Sequence, residues 1–315
     1  FALPQAKDLR PFFVCLLIGL VIVITCGWQQ RFGGLDETRK YFFTYLYPQM
    51  PHVSPEYLKK ISSNRIFSTL FYPNALAGVL LLLLPLALVS TWRLGGQMTE
   101  AARGFLVGLV AVAGLACLVW SGSKAGWLFM LALGLVAVLQ MDFNQWLKMT
   151  LLLVMLAGGL AGFGLRYAGY FKKGATSATA RMDYWRAAAM TATANPEFGT
   201  GPGTFPIPYA KIKAPDSEMA RLVHNDFLQQ ASDSGAVGFL AYTSFVVGAL
   251  LVTLKKVRSS NGRLKFAVWL GLSGWGLQSM TEFGLYIPAL AWIAFALLGW
   301  LLADGNEFDT SRKNL

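Results

Sequence analysis

Long apolar runs, separated by shorter polar segments, dominate the pattern of this chain. About 20 mostly apolar residues are needed to cross the hydrocarbon core of a bilayer, so each run of roughly that length predicts a membrane-spanning helix. The runs lie at residues 11–28, 71–92, 104–120, 125–141, 147–165, 236–254, 264–282 and 284–303. The pattern predicts an all-α fold, a polytopic transmembrane helical bundle of about eight spans, with one long polar loop at residues 166–234.

The composition agrees with a membrane protein and marks no boundary between domains. Of the 315 residues, 55% are hydrophobic and only 14% are charged, which is unusual for a soluble chain of this length. Neither an internal repeat nor a low-complexity linker divides the sequence. We therefore predict a single membrane domain over residues 1–315, in which residues 166–234 form a water-facing loop.

The net charge of +11 would suit nucleic acid, but the positions of the basic residues do not. If the N-terminus is cytoplasmic, most cations fall on the cytoplasmic side: Lys7, Arg10, Arg93, Arg103, Lys148, Lys255, Lys256, Arg258, Arg263, Lys265, Arg312 and Lys313. The short outward loop carries only Lys124. This positive-inside pattern directs both long loops, 29–70 and 166–234, outward, and no nucleic-acid partner is expected.

The cysteines and the acidic residues give no sign of a metal site. Cys15, Cys26 and Cys117 lie in or beside apolar runs, without a C-x-x-C pair or a nearby histidine. The carboxylates of the outer loop form no D-x-D cluster, so we expect neither a metal nor another cofactor. Because the chain begins with Phe1 and its first run has no clear cleavage site after it, we expect truncation, with further spans before residue 1.

The middle of the outer loop has the composition of a helix. Residues 178–194 are rich in Ala, Met and Arg, and Asn195-Pro196 predicts the helix end because the residue before proline avoids the α region. Arg181 lies one turn from Trp185 on this helix. We expect a cation–π contact between the two side chains.

A glycine-rich segment, Gly199-Thr200-Gly201-Pro202-Gly203, follows this helix. It lacks the Lys-Ser/Thr of a Walker loop and the preceding strand of a Rossmann unit, so a nucleotide-binding fold is not indicated. Two interpretations stay open. The segment is a flexible turn near the headgroups, or its backbone around Gly201 cradles a substrate phosphate.

One of the two histidines, His224, lies in a segment that reads as a helix from about residue 217 into the span at 236. His224 and Asn225 are adjacent polar groups just outside the predicted membrane, among the apolar residues Val223 and Phe227. A lone histidine is often structural. Its position at the membrane boundary also allows a functional role, and the residue types alone do not decide.

At this point the sequence resembles the O-antigen ligase and O-antigen polymerase superfamily. Four segments match its motifs in order: RIFSTLFYPNALAG from Arg65, SGSKAGWL from Ser121, ARMDYW followed by NPEFGTGPGTF, and His224-Asn225 with Gly235 and Gly238 after nine further residues. Each motif is weak singly, whereas four in order with spans between them are fairly specific. The resemblance covers residues 64–255.

The resemblance implies a membrane glycosyltransferase of the helical GT-C kind, which transfers glycans from polyprenyl diphosphate carriers. Such an enzyme would lie in the bacterial inner membrane with its active loop in the periplasm. Its donor would be a polyprenyl-diphosphate-linked glycan and its acceptor a glycolipid or another hydroxyl. The enzyme would be independent of nucleotide sugars and metal ions.

The resemblance also implies roles for individual residues. Arg181 would neutralise the leaving diphosphate, because arginine is a permanent, forked cation. His224 would take the acceptor proton, since a neutral imidazole suits a general base at ambient pH. Lys124 occupies the position of a second cation, where the family usually has arginine, and a lysine lacks the bidentate geometry. The further substrate-binding candidates are Arg65, Asn225, Trp185 and Gly201.

Several alternatives remain at this level. The acceptor is lipid A core by default, but a growing glycan (a polymerase) or a protein Ser or Thr (an oligosaccharyltransferase) fits equally. Arg65 is also compatible with a solvated surface residue. A small-anion transporter is a different class, since some relatives have been labelled bicarbonate carriers, but the span interiors hold almost no ionisable residues. A glycoside hydrolase would need a sugar cleft, and a non-catalytic scaffold is the remaining possibility.

Overall fold

The structure is a computed structural model that describes residues 9–51, 53, 57–58, 61–70, 72–172, 175–214, 217–259 and 262–303. Within these ranges the regular structure is helical and no strand occurs. The main helices are α1 (Arg10–Gln29), α2 (Leu35–Tyr41), α3 (Pro73–Leu94), α4 (Glu100–Ser121), α5 (Lys124–Leu139), α6 (Gln145–Lys172), α7 (Thr176–Ala194), α8 (Pro206–Ile212), α9 (Asp226–Ser259), α10 (Arg263–Ser279) and α11 (Pro288–Leu302).

The prediction of a helical membrane bundle is confirmed, and every predicted span overlaps one helix. The stretches long and apolar enough to cross a membrane are Arg10–Gln49, Pro73–Leu94, Glu100–Ser121, Gln145–Lys172 and Asp226–Val257. The helices Lys124–Leu139 and Pro288–Leu302 are apolar but shorter. The predicted span 264–282 corresponds to α10, which has 17 residues and is largely buried. The predicted span boundaries therefore agree with the helix boundaries more closely for some spans than for others.

Within the described residues the chain divides into two compact units, one before and one from Lys124 onward. In the first unit α3 packs against α1 and α4, and its residues are buried over most of its length. Pro73 occupies the first helical position of α3, where its missing N–H costs no hydrogen bond. A single membrane domain over the whole chain stays a prediction.

In the second unit α10 lies at the centre and packs against α5, α9 and α11. The helix α9 packs against α7 as well as α10, which connects the outer loop to the spans. In α6 only Tyr167 is buried, and one face of this helix packs against α5. These contacts determine where the side chains of the outer loop can converge.

The outer loop differs in part from its prediction. The helix predicted at 178–194 is confirmed as α7, which ends before Asn195, and α6 continues to Lys172 rather than residue 165. The helix predicted from about 217 is wrong. His224 has φ +56°, which is outside the helical region, and α9 begins only at Asp226. His224 therefore lies in an irregular segment immediately before α9.

Candidate functional site

A small hydrophobic core holds the outer loop together. Tyr184, Ala187 and Ala188 of α7 pack with Phe205, which precedes α8, and with Tyr209 in α8, and Ala220 and Val223 complete the cluster. The Tyr209 hydroxyl donates a hydrogen bond of 3.0 Å to the carbonyl of Glu218. Burial raises the pKa of Tyr209 from its ordinary value of 10.0 to about 12, and Tyr184, Asp183 and Glu218 add to the rise. The loop thus has a core of its own beside the spans.

The carboxylate of Glu282 joins the two residues that the sequence analysis placed first. Glu282 follows the end of α10 and is 4% exposed. One of its oxygens, Oε1, accepts a hydrogen bond from the guanidinium of Arg181. The other, Oε2, lies 3.2 Å from Nδ1 of His224. The predicted proximity of Arg181 and His224 is therefore present, and a carboxylate absent from that prediction produces it.

The ring of His224 is held on several sides. Tyr184 stacks on it with ring centroids 5.8 Å apart, and Phe283 meets it edge-on at 4.8 Å. The indole N–H of Trp185 donates to the carbonyl of His224 at 3.3 Å. If Nδ1 carries the proton that faces Glu282, Nε2 is the acceptor nitrogen of the neutral ring. No hydrogen bond reaches Nε2 from the described residues, so this nitrogen is available to accept a proton.

The expected cation–π contact between Arg181 and Trp185 is wrong for these two described residues. The guanidinium of Arg181 turns to Glu282, because a buried carboxylate is a stronger partner for a cation than an indole face. The indole of Trp185 instead contacts the backbone of His224. The Nε of Arg181 is buried without a hydrogen-bond partner among the described residues, so the guanidinium keeps unused donor capacity.

Lys124 lies at the first position of α5 and packs on two aromatic rings of α6. Its Nζ is 3.9 Å from the ring centroid of Tyr170 and 5.3 Å from that of Tyr167. The Tyr170 hydroxyl in turn accepts a hydrogen bond from the backbone N–H of Ala178 in the first turn of α7. Tyr170 thus connects Lys124 to the helix that carries Arg181. A common site for Lys124, Arg181 and His224 stays a prediction.

The structure gives Asn225 a clear local function. Its Oδ1 accepts the N–H of Leu228 at 3.0 Å, and its carbonyl accepts the N–H of Gln229 at 2.9 Å. This is the arrangement of a helix N-cap, which satisfies donors that the first turn of α9 cannot pair internally. Substrate binding by Asn225 stays a prediction beside this capping role.

The glycine-rich segment forms a clasp on α9. Gly235 interrupts that helix with φ +64° and ψ −158°. The segment pairs with the interrupted backbone: Thr200 N–H donates to Ser232 O, Gly201 N–H to Asp233 O and Ala236 N–H to Pro196 O. A Cβ on Gly235 would lie 2.3 Å from the carbonyl oxygen of Glu197, so the close approach requires glycine. A phosphate cradle would need the Gly201 amide released from this pairing, and phosphate binding there stays a prediction.

Arg65 belongs to the first unit, where it joins two of the sequence motifs. Its Nε donates to the carbonyl of Ser121 and its Nη2 to Oδ1 of Asn74, both at 2.6 Å. Its side chain also packs over Gly122, which adopts φ +63°. Arg65 is therefore built into the fold rather than fully solvated. Whether it also binds substrate stays a prediction.

Glu282 is the functional candidate that the sequence reasoning missed. The signal for it in the sequence was an ionisable residue at the end of a predicted span, where an unpaired charge is energetically unfavourable.

The cysteines are free, with Cys117 buried. Among the described residues no group of three or more His, Cys, Asp or Glu side chains is placed to hold a metal ion, and metal independence stays a prediction.

The comparisons with known proteins concern the segment that contains this site. A sequence model of a protein family described as O-antigen ligase matches residues 109–243. The matched range includes Lys124, Arg181 and His224, and it ends before Glu282. The search of curated proteins found no match.

Proposed function

We propose that this protein transfers a glycan from a polyprenyl diphosphate to an acceptor hydroxyl, a proposal that the match of residues 109–243 to the O-antigen ligase family model supports. The observation that carries the proposal is the bridge of Glu282 between Arg181 and His224. It brings a permanent cation and a potential base to one carboxylate beside the spans. Glycan transfer from a lipid diphosphate needs both groups.

The chemistry divides between the two side chains. Nε2 of His224 takes the proton from the acceptor hydroxyl as the acceptor oxygen forms its bond to the anomeric carbon. The bond from that carbon to the phosphate oxygen breaks, and the electron pair leaves with the diphosphate. Arg181 stabilises the charge that develops on this leaving group. A single displacement of this kind inverts the anomeric configuration.

Glu282 orients the side chains of both His224 and Arg181. Its Oε2 fixes the imidazole so that Nδ1 faces the protein and Nε2 faces the substrate, and it stabilises the imidazolium that forms. Its Oε1 holds the guanidinium of Arg181 until a phosphate competes for it. Lys124 is proposed as a second cation for the diphosphate, delivered from the start of α5.

The setting and acceptor follow from the superfamily. We place the protein in the bacterial inner membrane with the loop at 166–234 in the periplasm, independent of metal ions and other cofactors. The acceptor is the lipid A core, which makes the enzyme a ligase. A polymerase, which adds to another repeat unit, and a protein oligosaccharyltransferase use the same chemistry with different acceptors.

The test uses the purified chain in lipid nanodiscs with a polyprenyl-diphosphate-linked glycan. Lipid A core, a lipid-linked repeat unit and a Ser/Thr peptide are offered separately as acceptors. We expect transfer to lipid A core, with the rate lowered by about 10²-fold or more in His224→Gln, the loss typical of a missing general base. Arg181→Lys should lower the rate by about 10-fold or more, because the forked geometry is lost.

Arg186→Lys is the matched control, because Arg186 lies exposed on α7 a little over one turn from Arg181. It should transfer glycan at the wild-type rate. Transfer only to the repeat unit or only to the peptide would replace the lipid A core acceptor. Normal transfer by both site variants would refute the proposed roles of Arg181 and His224.

A further inference from the structure

Three hydrogen bonds run from the glycine-rich segment to the backbone beside His224, and the two that Gln229 forms are buried. The N–H of Gly203 donates to Oδ2 of Asp233 at 2.8 Å, and the side-chain amide of Gln229 donates to the same oxygen at 2.9 Å. The other end of that amide, Oε1 of Gln229, accepts the N–H of Val223 at 2.8 Å. Val223 is the residue immediately before His224.

Gln229, Asp233 and Val223 are buried: Asp233 and Gln229 are each 1% exposed and Val223 is 0% exposed. A buried donor or acceptor that loses its partner costs about 1–3 kcal/mol, so the atoms that are paired here favour the arrangement that pairs them. Oδ1 of Asp233 is buried without a hydrogen-bond partner among the described residues. Gln229 and Asp233 lie four residues apart on α9 and therefore face the same side of that helix.

The backbone at His224, where this series of hydrogen bonds ends, adopts an uncommon conformation that other contacts must stabilise. His224 adopts φ +56°, a conformation that is uncommon for residues other than glycine. Such a conformation persists where the surroundings hold it in place. The bond from Val223 holds the N-terminal side of His224, and the bond from Trp185 to the His224 carbonyl holds the other side.

We propose that Gln229 and Asp233 are positioning residues for His224, forming a relay that fixes the base relative to the glycine-rich clasp. Neither side chain needs to touch the substrate. The catalytic consequence rests on the proposed function, since it assumes that His224 is the general base. The relay itself is a statement about the folded chain and can be measured without activity.

The proposed relay predicts which substitutions at residues 229 and 233 keep a hydrogen-bond donor opposite an acceptor and which do not. In Gln229→Glu, a carboxylate replaces the amide that donates to Asp233, so two carboxylates face each other and the relay opens. In the double variant Gln229→Glu/Asp233→Asn, an amide nitrogen in the place of Oδ2 donates to residue 229 and restores the bond that orients the partner of Val223, while the N–H of Gly203 loses its acceptor. Asp233→Asn alone keeps an acceptor for both donors and serves as the matched control.

Two measurements on the full chain in nanodiscs test the relay. Steady-state transfer should show kcat lowered by about 10- to 100-fold in Gln229→Glu, as expected for a displaced base, with KM for the donor unchanged. The double variant should recover kcat, and Asp233→Asn should retain it. Hydrogen–deuterium exchange of the Val223 amide should be faster in Gln229→Glu and slow again in the double variant.

The possible outcomes distinguish the proposed relay from the proposed function. A Gln229→Glu protein with wild-type kcat and a protected Val223 amide overturns the relay, and so does a double variant that recovers neither property. If the exchange results follow the relay while the wild-type chain transfers no glycan, the positioning of residue 224 stands and the proposed function fails. If exchange follows the relay but kcat does not change, the claim that it positions a base is overturned.

Discussion

Oε2 of Glu282 lies 3.2 Å from Nδ1 of His224, although the two residues are 58 positions apart in the chain. The contact joins the irregular segment before α9 to the segment after α10. Because α9 and α10 pack against each other, the partners meet where one helix begins and the other ends. The position of His224 therefore depends on the packing of α9 and α10 as well as on the outer loop.

The first prediction concerns the charge of Glu282. We expect Glu282→Gln to lower the transfer rate by about 10-fold or more, because an amide still accepts a hydrogen bond but no longer stabilises an imidazolium. The melting temperature should also fall, because the guanidinium of Arg181 loses its buried anionic partner. Transfer assays and thermal unfolding in the same detergent provide the comparison.

Glu197→Gln provides the control for Glu282→Gln. Glu197 lies exposed in the outer loop, and no hydrogen bond to its carboxylate is formed within the described residues. Its substitution should leave transfer unchanged. Equal rates in Glu282→Gln and the wild type would show that the carboxylate does not support the reaction.

The second prediction separates a structural from a substrate-binding role for Arg65. Arg65→Ala removes hydrogen bonds to Ser121 and Asn74, each worth about 1.5–3 kcal/mol when a charged group donates. We expect a lower melting temperature for this variant and an unchanged one for Lys40→Ala, whose side chain is exposed on α2. A variant with unchanged melting temperature but lost transfer would favour direct substrate binding instead.

The third prediction concerns the break in α9. Gly235→Ala places a methyl group 2.3 Å from the Glu197 carbonyl and requires a positive φ from alanine. We expect the clasp to separate from α9, with loss of transfer and easier proteolysis between residues 196 and 203. Gly248→Ala is the control on the same helix, where no atom lies within 4 Å of the added Cβ. Similar behaviour of both variants would contradict a special role for Gly235.

The fourth prediction is a dependence of stability on alkaline pH. The pKa of Tyr209 is raised to about 12 from 10.0, mainly by burial. Below pH 10 its contribution to stability is fully present. Between pH 10 and 12 the unfolded chain releases this proton while the folded loop retains it, so the contribution is lost as pH rises through 12.

Tyr209→Phe tests this assignment. The variant should be less stable at neutral pH, because the hydrogen bond to Glu218 is gone, but its stability should fall less steeply between pH 10 and 12. Burial also raises the pKa of Tyr184, so some dependence should remain. Chemical unfolding at a series of pH values measures both slopes, and parallel slopes would exclude Tyr209 as the responsible group.

Local signals in the sequence predicted the elements of the fold well. Apolar length predicted the spans, and Asn195-Pro196 predicted the end of α7 because proline acts on its immediate neighbour. The prediction of a helix in the segment before α9 was wrong because contacts that the local sequence does not show determine its backbone. Its composition suits a helix, but the Asn225 cap and the bonds to Val223 and His224 stabilise an irregular backbone, and one of these partners, Trp185, is distant in sequence.

The site was only partly predictable because its central contact is long-range. Arg181 and His224 belong to motifs, whereas Glu282 lies beyond the matched range and has no local pattern that announces its partners. The clasp illustrates the same limit. Glycines indicated a turn, but only the folded chain shows that the break at Gly235 receives the segment from Pro196 to Gly201.

The break at Gly235 also bears on how deep in the bilayer the chemistry takes place. Residues 236–259 of α9 would extend about 36 Å at 1.5 Å per residue, close to the roughly 30 Å of a hydrocarbon core. If residues 236–259 span the core, the nine residues from Asp226 to Ser234 would stand at the level of the headgroups. Under the proposed function, the lipid diphosphate would carry its phosphates at that same level and would meet His224 while its polyprenyl tail stayed in the membrane.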